Sequence, residues 1–249
     1  MSMNEESFAG GKLKLTRGRI AVLELNQPEK RNAISQDMWR AFADICAAVE
    51  ADDGIKVLVL RGAGGRAFSA GADISEFAAI YADAESARRA NDAIRLAQAR
   101  LRGIDRPTIA MIDGVCIGGG LGIALACDFR FSAPAAKYAI TPAKLGLAYS
   151  FHDTAQLVEK VGAVRAKDIL FSARLLEAEE ALAIGLIDRL CPAESLEHDV
   201  MAYAENMASL SQTSIRTAKA VINGISDALL AHADRYAGLV DASFDGADF

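Results

Sequence analysis

The sequence is poor in the residues that build disulfide-stapled, metal-bound or nucleic-acid-binding proteins. Its four cysteines, Cys46, Cys116, Cys127 and Cys191, stand far apart in mostly apolar surroundings, with no CxxC spacing and only three histidines in 249 residues. That pattern excludes a disulfide frame and a zinc site and reads as reduced core thiols, so no structural metal is expected. Basic residues are in deficit: the formal net charge is −6, and neither a Lys/Arg stripe nor aromatics interleaved with basic residues occur. Without a basic field to attract phosphate polymers, nucleic acid is not an expected partner. Long apolar runs are missing too. Leu121 to Cys127 is cut short by Asp128, far below the roughly 18 to 20 residues that span a bilayer, so no membrane role is expected. Met1 to Gly11 lacks the cationic start and apolar stretch of a signal peptide, which points to the cytosol.

What is present is apolar content. With 52% hydrophobic and 24% charged positions, the chain can bury a substantial core as one domain or one domain plus a small appendage. Alternating runs at Leu13 to Thr16 and Ile20 to Leu25 flank Arg17-Gly18-Arg19 and predict a hairpin. Ser35 to Ala51 has helical apolar spacing with Ser35 as N-cap, and Val57 to Leu60 is a strand type buried on both faces. A helix over about Glu85 to Arg102 precedes a strand over Pro107 to Ile112, and Leu121 to Ala126 predicts a short buried helix. Beyond about Pro142 the strand signal nearly vanishes, and Asp153 to Ala231 reads as successive helices. A boundary is placed near Phe151, with a repeated strand-helix core before it and a helical part after it.

Two glycine-rich loops carry the candidate chemistry. Gly62-Ala63-Gly64-Gly65-Arg66-Ala67 matches G-x-G-x-x-A, but the dinucleotide reading needs a second strand ending at an acidic residue about 20 positions on. Asp83 and Glu85 lie instead in an alanine-rich helical stretch. Ala67-Phe68-Ser69-Ala70-Gly71 is one residue away from a serine-hydrolase elbow, yet no histidine has a spacing that identifies it as a partner, so Ser69 reads as a loop residue. Gly71 and Gly118-Gly119-Gly120 share a different capability. Glycine lets a substrate approach the backbone and exposes its N–H, and two such amides, one at a helix start, suit an enolate or oxyanion. The alternative is that the triple glycine only lets a helix pack closely on a strand.

Taken together, Pro28 to Ile34 (PEKRNAI), Phe68 to Ile74 (FSAGADI), Asp113 to Gly120 (DGVCIGGG), Cys127-Asp128 and Ala181 to Ile187 resemble the crotonase (enoyl-CoA hydratase/isomerase) family in order and spacing across nearly the whole chain. The resemblance implies an α/β fold, a spiral of strand-strand-helix units over residues 1–150, with a helical C-terminal trimerisation region over 151–249. It implies an acyl-CoA substrate, no prosthetic group, and a homotrimer or dimer of trimers. It also implies that the N–H groups of Ala72 and Gly119 bind the thioester oxygen, and that Lys30, Ala33, Ala70, Asp73 and Ile74 neighbour coenzyme A.

The departures from the family are equally specific. Its hydratases carry one glutamate three residues after the oxyanion glycine and another after the proline before a Leu-Gly pair; here those places hold Gly122 and Ala143. Water addition needs a positioned base and an acid, and neither residue supplies one. Glu76 and Asp73 are nearby carboxylates for which a solvated or capping role is expected. The segment Pro142 to His152 is similar to that of methylmalonyl-CoA decarboxylases of the family, with Tyr149 where they carry a tyrosine, although Ala72 stands where they have another residue. Tyr149 is therefore a candidate site residue or a packing residue, and His152 a helix cap, a solvent-facing residue or a proton carrier. The expected activity is enolate stabilisation, with decarboxylation as the leading reaction. An atypical hydratase or isomerase and a non-catalytic acyl-CoA-binding protein are the alternatives.

Overall fold

The computed structural model describes residues 5–229. In chain order its strands are β1 (Glu5–Phe8), β2 (Leu13–Thr16), β3 (Ile20–Leu25), β4 (Val57–Gly62), β5 (Ala67–Ser69), β6 (Thr108–Ile112), β7 (Val115–Ile117), β8 (Phe129–Ser132), β9 (Lys137–Ala139), β10 (Leu176–Glu177) and β11 (Arg189–Leu190). The helices are α1 (Gln36–Glu50), α2 (Phe77–Ile80), α3 (Ala84–Gly103), α4 (Gly119–Ala126), α5 (Phe151–Ser172), α6 (Ala178–Ala183), α7 (Leu196–Ser209) and α8 (Gln212–Leu229). A break at Gly162, with φ 76° and ψ 162°, divides α5 into two helical pieces.

Two sheets result, one of order β1-β2-β3-β4-β6-β8-β11 and one of order β10-β9-β7-β5. From β4 onward the chain repeats one unit: a strand of the large sheet, a strand of the small sheet, then helix. β4 and β5 lead to α2 and α3, β6 and β7 to α4, and β8 and β9 to α5. The repeat is a strand-strand-helix spiral rather than simple strand-helix alternation. The small-sheet strands of each unit, three residues long, are too short to show a period-two pattern.

The hairpin β2/β3 pairs Leu13 with Leu25 and Leu15 with Leu23, burying all four leucines on one face. β4 lies between β3 and β6 in parallel register and is buried on both sides. Leu58 and Leu60 join the cluster of Phe42, Ile45 and Leu101, while Val57 and Val59 join Val200, Ala204 and Met207 of α7. That two-sided burial accounts for the unbroken VLVL run. Past Phe151, β10 pairs with β9 and β11 with β8, so the later part of the chain supplies an edge to each sheet. Among the described residues, no helix is long and apolar enough to cross a membrane. All four cysteines are buried and free.

Candidate active site

The two glycine loops converge at the mouth of one cavity of about 700 Å³. Ala72 forms an isolated parallel bridge with Ile34, in which the Ile34 N–H donates to Gly71 O (2.7 Å) and the Asp73 N–H donates to Ile34 O (3.0 Å). Because N–H groups alternate in direction along extended backbone, the Ala72 N–H points away from that bridge. The Gly118 N–H donates to Ala139 O at 2.9 Å, and Gly119 is the first residue of α4, where an amide has no intrahelical acceptor. Among the described residues neither the Ala72 nor the Gly119 N–H has an acceptor. The backbones are close: a β-carbon on Gly71 would lie 3.6 Å from the Gly119 nitrogen, and one on Gly119 would lie 3.8 Å from the Ala72 nitrogen. Glycine is required at 71 by φ +99° and by Ile117 O, 2.9 Å from where a β-carbon would sit. At 119 a β-carbon would meet Trp39 Cζ2 at 2.9 Å.

Deeper in, the cavity wall turns polar. Gln98 of α3, Tyr149, and Asp153 of α5 meet above Gly122 on α4. A β-carbon on Gly122 would lie 2.5 Å from Gln98 Nε2, 3.0 Å from Asp153 Oδ1 and 3.4 Å from Tyr149 Oη. The space into which a glutamate at 122 would project is filled by these three side chains. Asp153 is 5% exposed and Gln98 1%. Asp153 Oδ1, the Tyr149 hydroxyl and both amide atoms of Gln98 have no hydrogen-bond partner among the described residues. The other Asp153 oxygen accepts from Ser150 Oγ at 2.6 Å, and Ser150 Oγ accepts from the Asp153 N–H at 3.0 Å, an N-cap exchange at the start of α5. Burial raises the Asp153 pKa above its ordinary 3.8, while the Ser150 hydrogen bond and then the nearby Gln98 amide, which lies beyond hydrogen-bonding geometry, pull the other way. Burial, and then the adjacent Asp153, hold the Tyr149 hydroxyl well above 10.0. His152 also lines the cavity with Nε2 unpartnered, and burial together with Arg102 and Arg95 lowers its pKa.

The remaining sequence candidates are distributed around the mouth. Lys30 Nζ donates to Asp73 Oδ2 at 2.7 Å, and Asp73 Oδ1 accepts from the N–H and hydroxyl of Ser75. Burial opposes the Asp73 charge, but the Lys30 and Ser75 hydrogen bonds outweigh it and lower the pKa. Ala70 and Ile74 line the cavity, Ile74 74% exposed, whereas Ala33 is buried outside the lining. Glu76 accepts from the Gln36 N–H at 2.8 Å and so caps α1. Ser69 is buried and its hydroxyl accepts from the Gly71 N–H, which makes it a support of the loop. Ala143 lies exposed in the turn Pro142–Leu145. Sequence reasoning passed over Gln98 and Asp153. The local S-x-x-D pattern at Ser150 to Asp153 marks a helix start but carries no sign of which cavity the carboxyl faces.

The enoyl-CoA hydratase/isomerase family model matches residues 16–247. Crotonyl-CoA hydratase of Syntrophomonas wolfei is 33% identical over 208 residues, covering 82% of this chain and 78% of the relative. A crystal structure of an enoyl-CoA hydratase/carnithine racemase from Magnetospirillum magneticum superposes with a TM-score of 0.84 at 36% identity, covering 86% of this chain and 80% of that one. Enoyl-CoA hydratase from Bacillus anthracis gives 0.79 at 30% identity, covering 85% and 82%. Likeness of this extent, in sequence and in backbone alike, shows that the chain belongs to the enoyl-CoA hydratase/isomerase family.

Proposed function

We propose that the protein acts on acyl-CoA thioesters by stabilising a thioester enolate between the N–H groups of Ala72 and Gly119, and that its reaction is decarboxylation of a 2-carboxyacyl-CoA. The observation that carries this reading is the occupied space above Gly122. A hydratase glutamate cannot enter it, and Ala143 offers no second carboxylate, so the acid-base pair that water addition needs is absent from both family positions. Decarboxylation makes the enolate without a base. The bond from the α-carbon to the carboxylate breaks, its electrons pass into the thioester, and the two amides receive the charge on oxygen. Two unpartnered donors, the Tyr149 hydroxyl and Gln98 Nε2, suit the departing carboxylate, which they would hold out of the thioester plane. Lys30, Ala70, Asp73 and Ile74 at the mouth, with Ala33 behind them, would meet coenzyme A, and the working assembly is a homotrimer or dimer of trimers. No prosthetic group is required.

The test is a comparison of crotonyl-CoA, a 3-enoyl-CoA and methylmalonyl-CoA with wild type, Gly119→Pro and Tyr149→Phe. Methylmalonyl-CoA should turn over, crotonyl-CoA should be hydrated very slowly, and Gly119→Pro should lose about 100- to 1,000-fold in rate through one lost donor. Rapid hydration of crotonyl-CoA by wild type would refute the reading. Turnover of the 3-enoyl-CoA alone would make the protein an isomerase, and stoichiometric binding without turnover a carrier.

A further inference from the structure

The decarboxylation reading leaves one requirement unmet. Loss of carbon dioxide from a carboxylate consumes a proton, because the enolate carbon must be protonated before product leaves. We propose that Asp153 is the proton donor that quenches this enolate.

The geometry supports a donor rather than a structural carboxyl. Oδ2 is committed to Ser150, but Oδ1 is free and directed over Gly122, at the polar end of the cavity. An aspartate placed only to cap α5 would need one oxygen and could leave the other in water. Here the second oxygen is enclosed with two more unpartnered groups, Tyr149 Oη and the Gln98 amide, in the cavity that carries the Ala72 and Gly119 amides. A buried carboxyl without a cationic partner is neutral more readily than an exposed one, which is the state a donor needs. The ion formed after transfer is also provided for. It sits in the first turn of α5, where the helix dipole favours negative charge, and keeps the Ser150 hydrogen bond.

The α-carbon to carboxylate bond breaks and carbon dioxide departs with no net charge. The enolate electrons then form a new α-C–H bond with the Asp153 proton, and the O–H electrons remain on Asp153 as a carboxylate. Solvent reprotonates Asp153 once product has left, so one proton is consumed per turnover. The inference rests on the enolate reading of the site and gives the missing acid a residue that neither family glutamate position supplies. The titratable and charged groups that line the cavity with Asp153 are Tyr81, Arg88, Asp92, Arg95, Tyr149 and His152.

The experiment runs methylmalonyl-CoA in deuterium oxide with wild type, Asp153→Asn and Asp153→Glu, and reads rate and the configuration of the 2-deuterated propionyl-CoA. Exchange of the α-hydrogens of propionyl-CoA itself is followed in parallel, with its binding affinity as the check on folding. Wild type should give a single configuration. Asp153→Asn should bind propionyl-CoA as wild type does, lose about 100- to 10,000-fold in rate, and give residual product of mixed configuration, because solvent then delivers the deuteron from either side. Asp153→Glu should recover part of the rate. Full rate with a single configuration in Asp153→Asn would overturn the proposal while leaving decarboxylation standing. If wild type does not decarboxylate but exchanges the α-hydrogens, and Asp153→Asn abolishes that exchange, the decarboxylation reading fails and the role of Asp153 stands. Absence of both activities in wild type overturns both.

Discussion

Replacing Asp153 by asparagine should stabilise the protein increasingly as pH rises. The aspartate is 5% exposed, has one oxygen bonded to Ser150 and the other unpartnered, and its pKa is raised above the ordinary 3.8 chiefly by burial. In the unfolded chain the carboxyl ionises near its ordinary value. Below that pH both states are protonated and burial carries no charge penalty. Between the ordinary value and the raised folded one, only the unfolded state has lost its proton, so wild type loses stability as pH rises. For one proton the slope is at most about 1.4 kcal/mol per pH unit, and it flattens above the folded pKa. Asparagine keeps the shape and an acceptor for Ser150 without titrating, so the variant omits this loss. With a urea dependence of about 1 to 3 kcal/mol/M, the variant's midpoint should move ahead of wild type by about 0.5 to 1.4 M per pH unit within the window. The assay is urea unfolding followed by circular dichroism from pH 4 to 8 at one protein concentration, comparing differences between the two proteins. His152 and Tyr149 are present in both and largely cancel. A stability difference that is flat with pH, or that turns against asparagine as pH rises, would refute the claim that burial raises the pKa of this carboxyl.

Other expectations follow from single contacts. Gly122→Ala should destabilise by about 1 to 3 kcal/mol, because its β-carbon would sit 2.5 Å from the buried Gln98 Nε2, and thermal unfolding reads the loss. Gly122→Glu should confer no crotonyl-CoA hydration for the same reason, and measurable hydration would show that the polar trio yields its space. Ile74→Ala should weaken coenzyme A ester binding about tenfold without lowering Tm, since a residue 74% exposed contributes packing only when ligand covers it; calorimetric titration decides. The protein should be a multiple of three in light scattering, with a monomer at micromolar concentration contradicting this. Val221, Ile222 and Ile225 on α8 are exposed apolar side chains of the kind a subunit interface would cover. Residues 230–249 of the expected trimerisation region lie outside those described.

Much of this protein is local in origin and was therefore readable from the chain. The β2/β3 hairpin, α1, β4, α3 and α4 follow from period-two or helical spacing confined to a few turns of backbone, and the sequence placed each within a residue or two. The glycines at 71 and 119 were legible as places of close backbone approach because the absence of a side chain is itself the signal. The doubling of strands in each spiral turn was legible only through the family resemblance and not from local pattern, since β5, β7 and β9 are three residues long and their pairing is settled by neighbours distant in sequence. The fate of the missing carboxylate was not legible. Gly122, Gln98, Tyr149 and Asp153 belong to four separate segments, and no pattern in the chain relates positions 98 and 153. Only the packing of α3 and α5 against α4 brings a buried carboxyl to the place that a glutamate at 122 would have claimed, because the volume above a glycine can be filled from any element that reaches it.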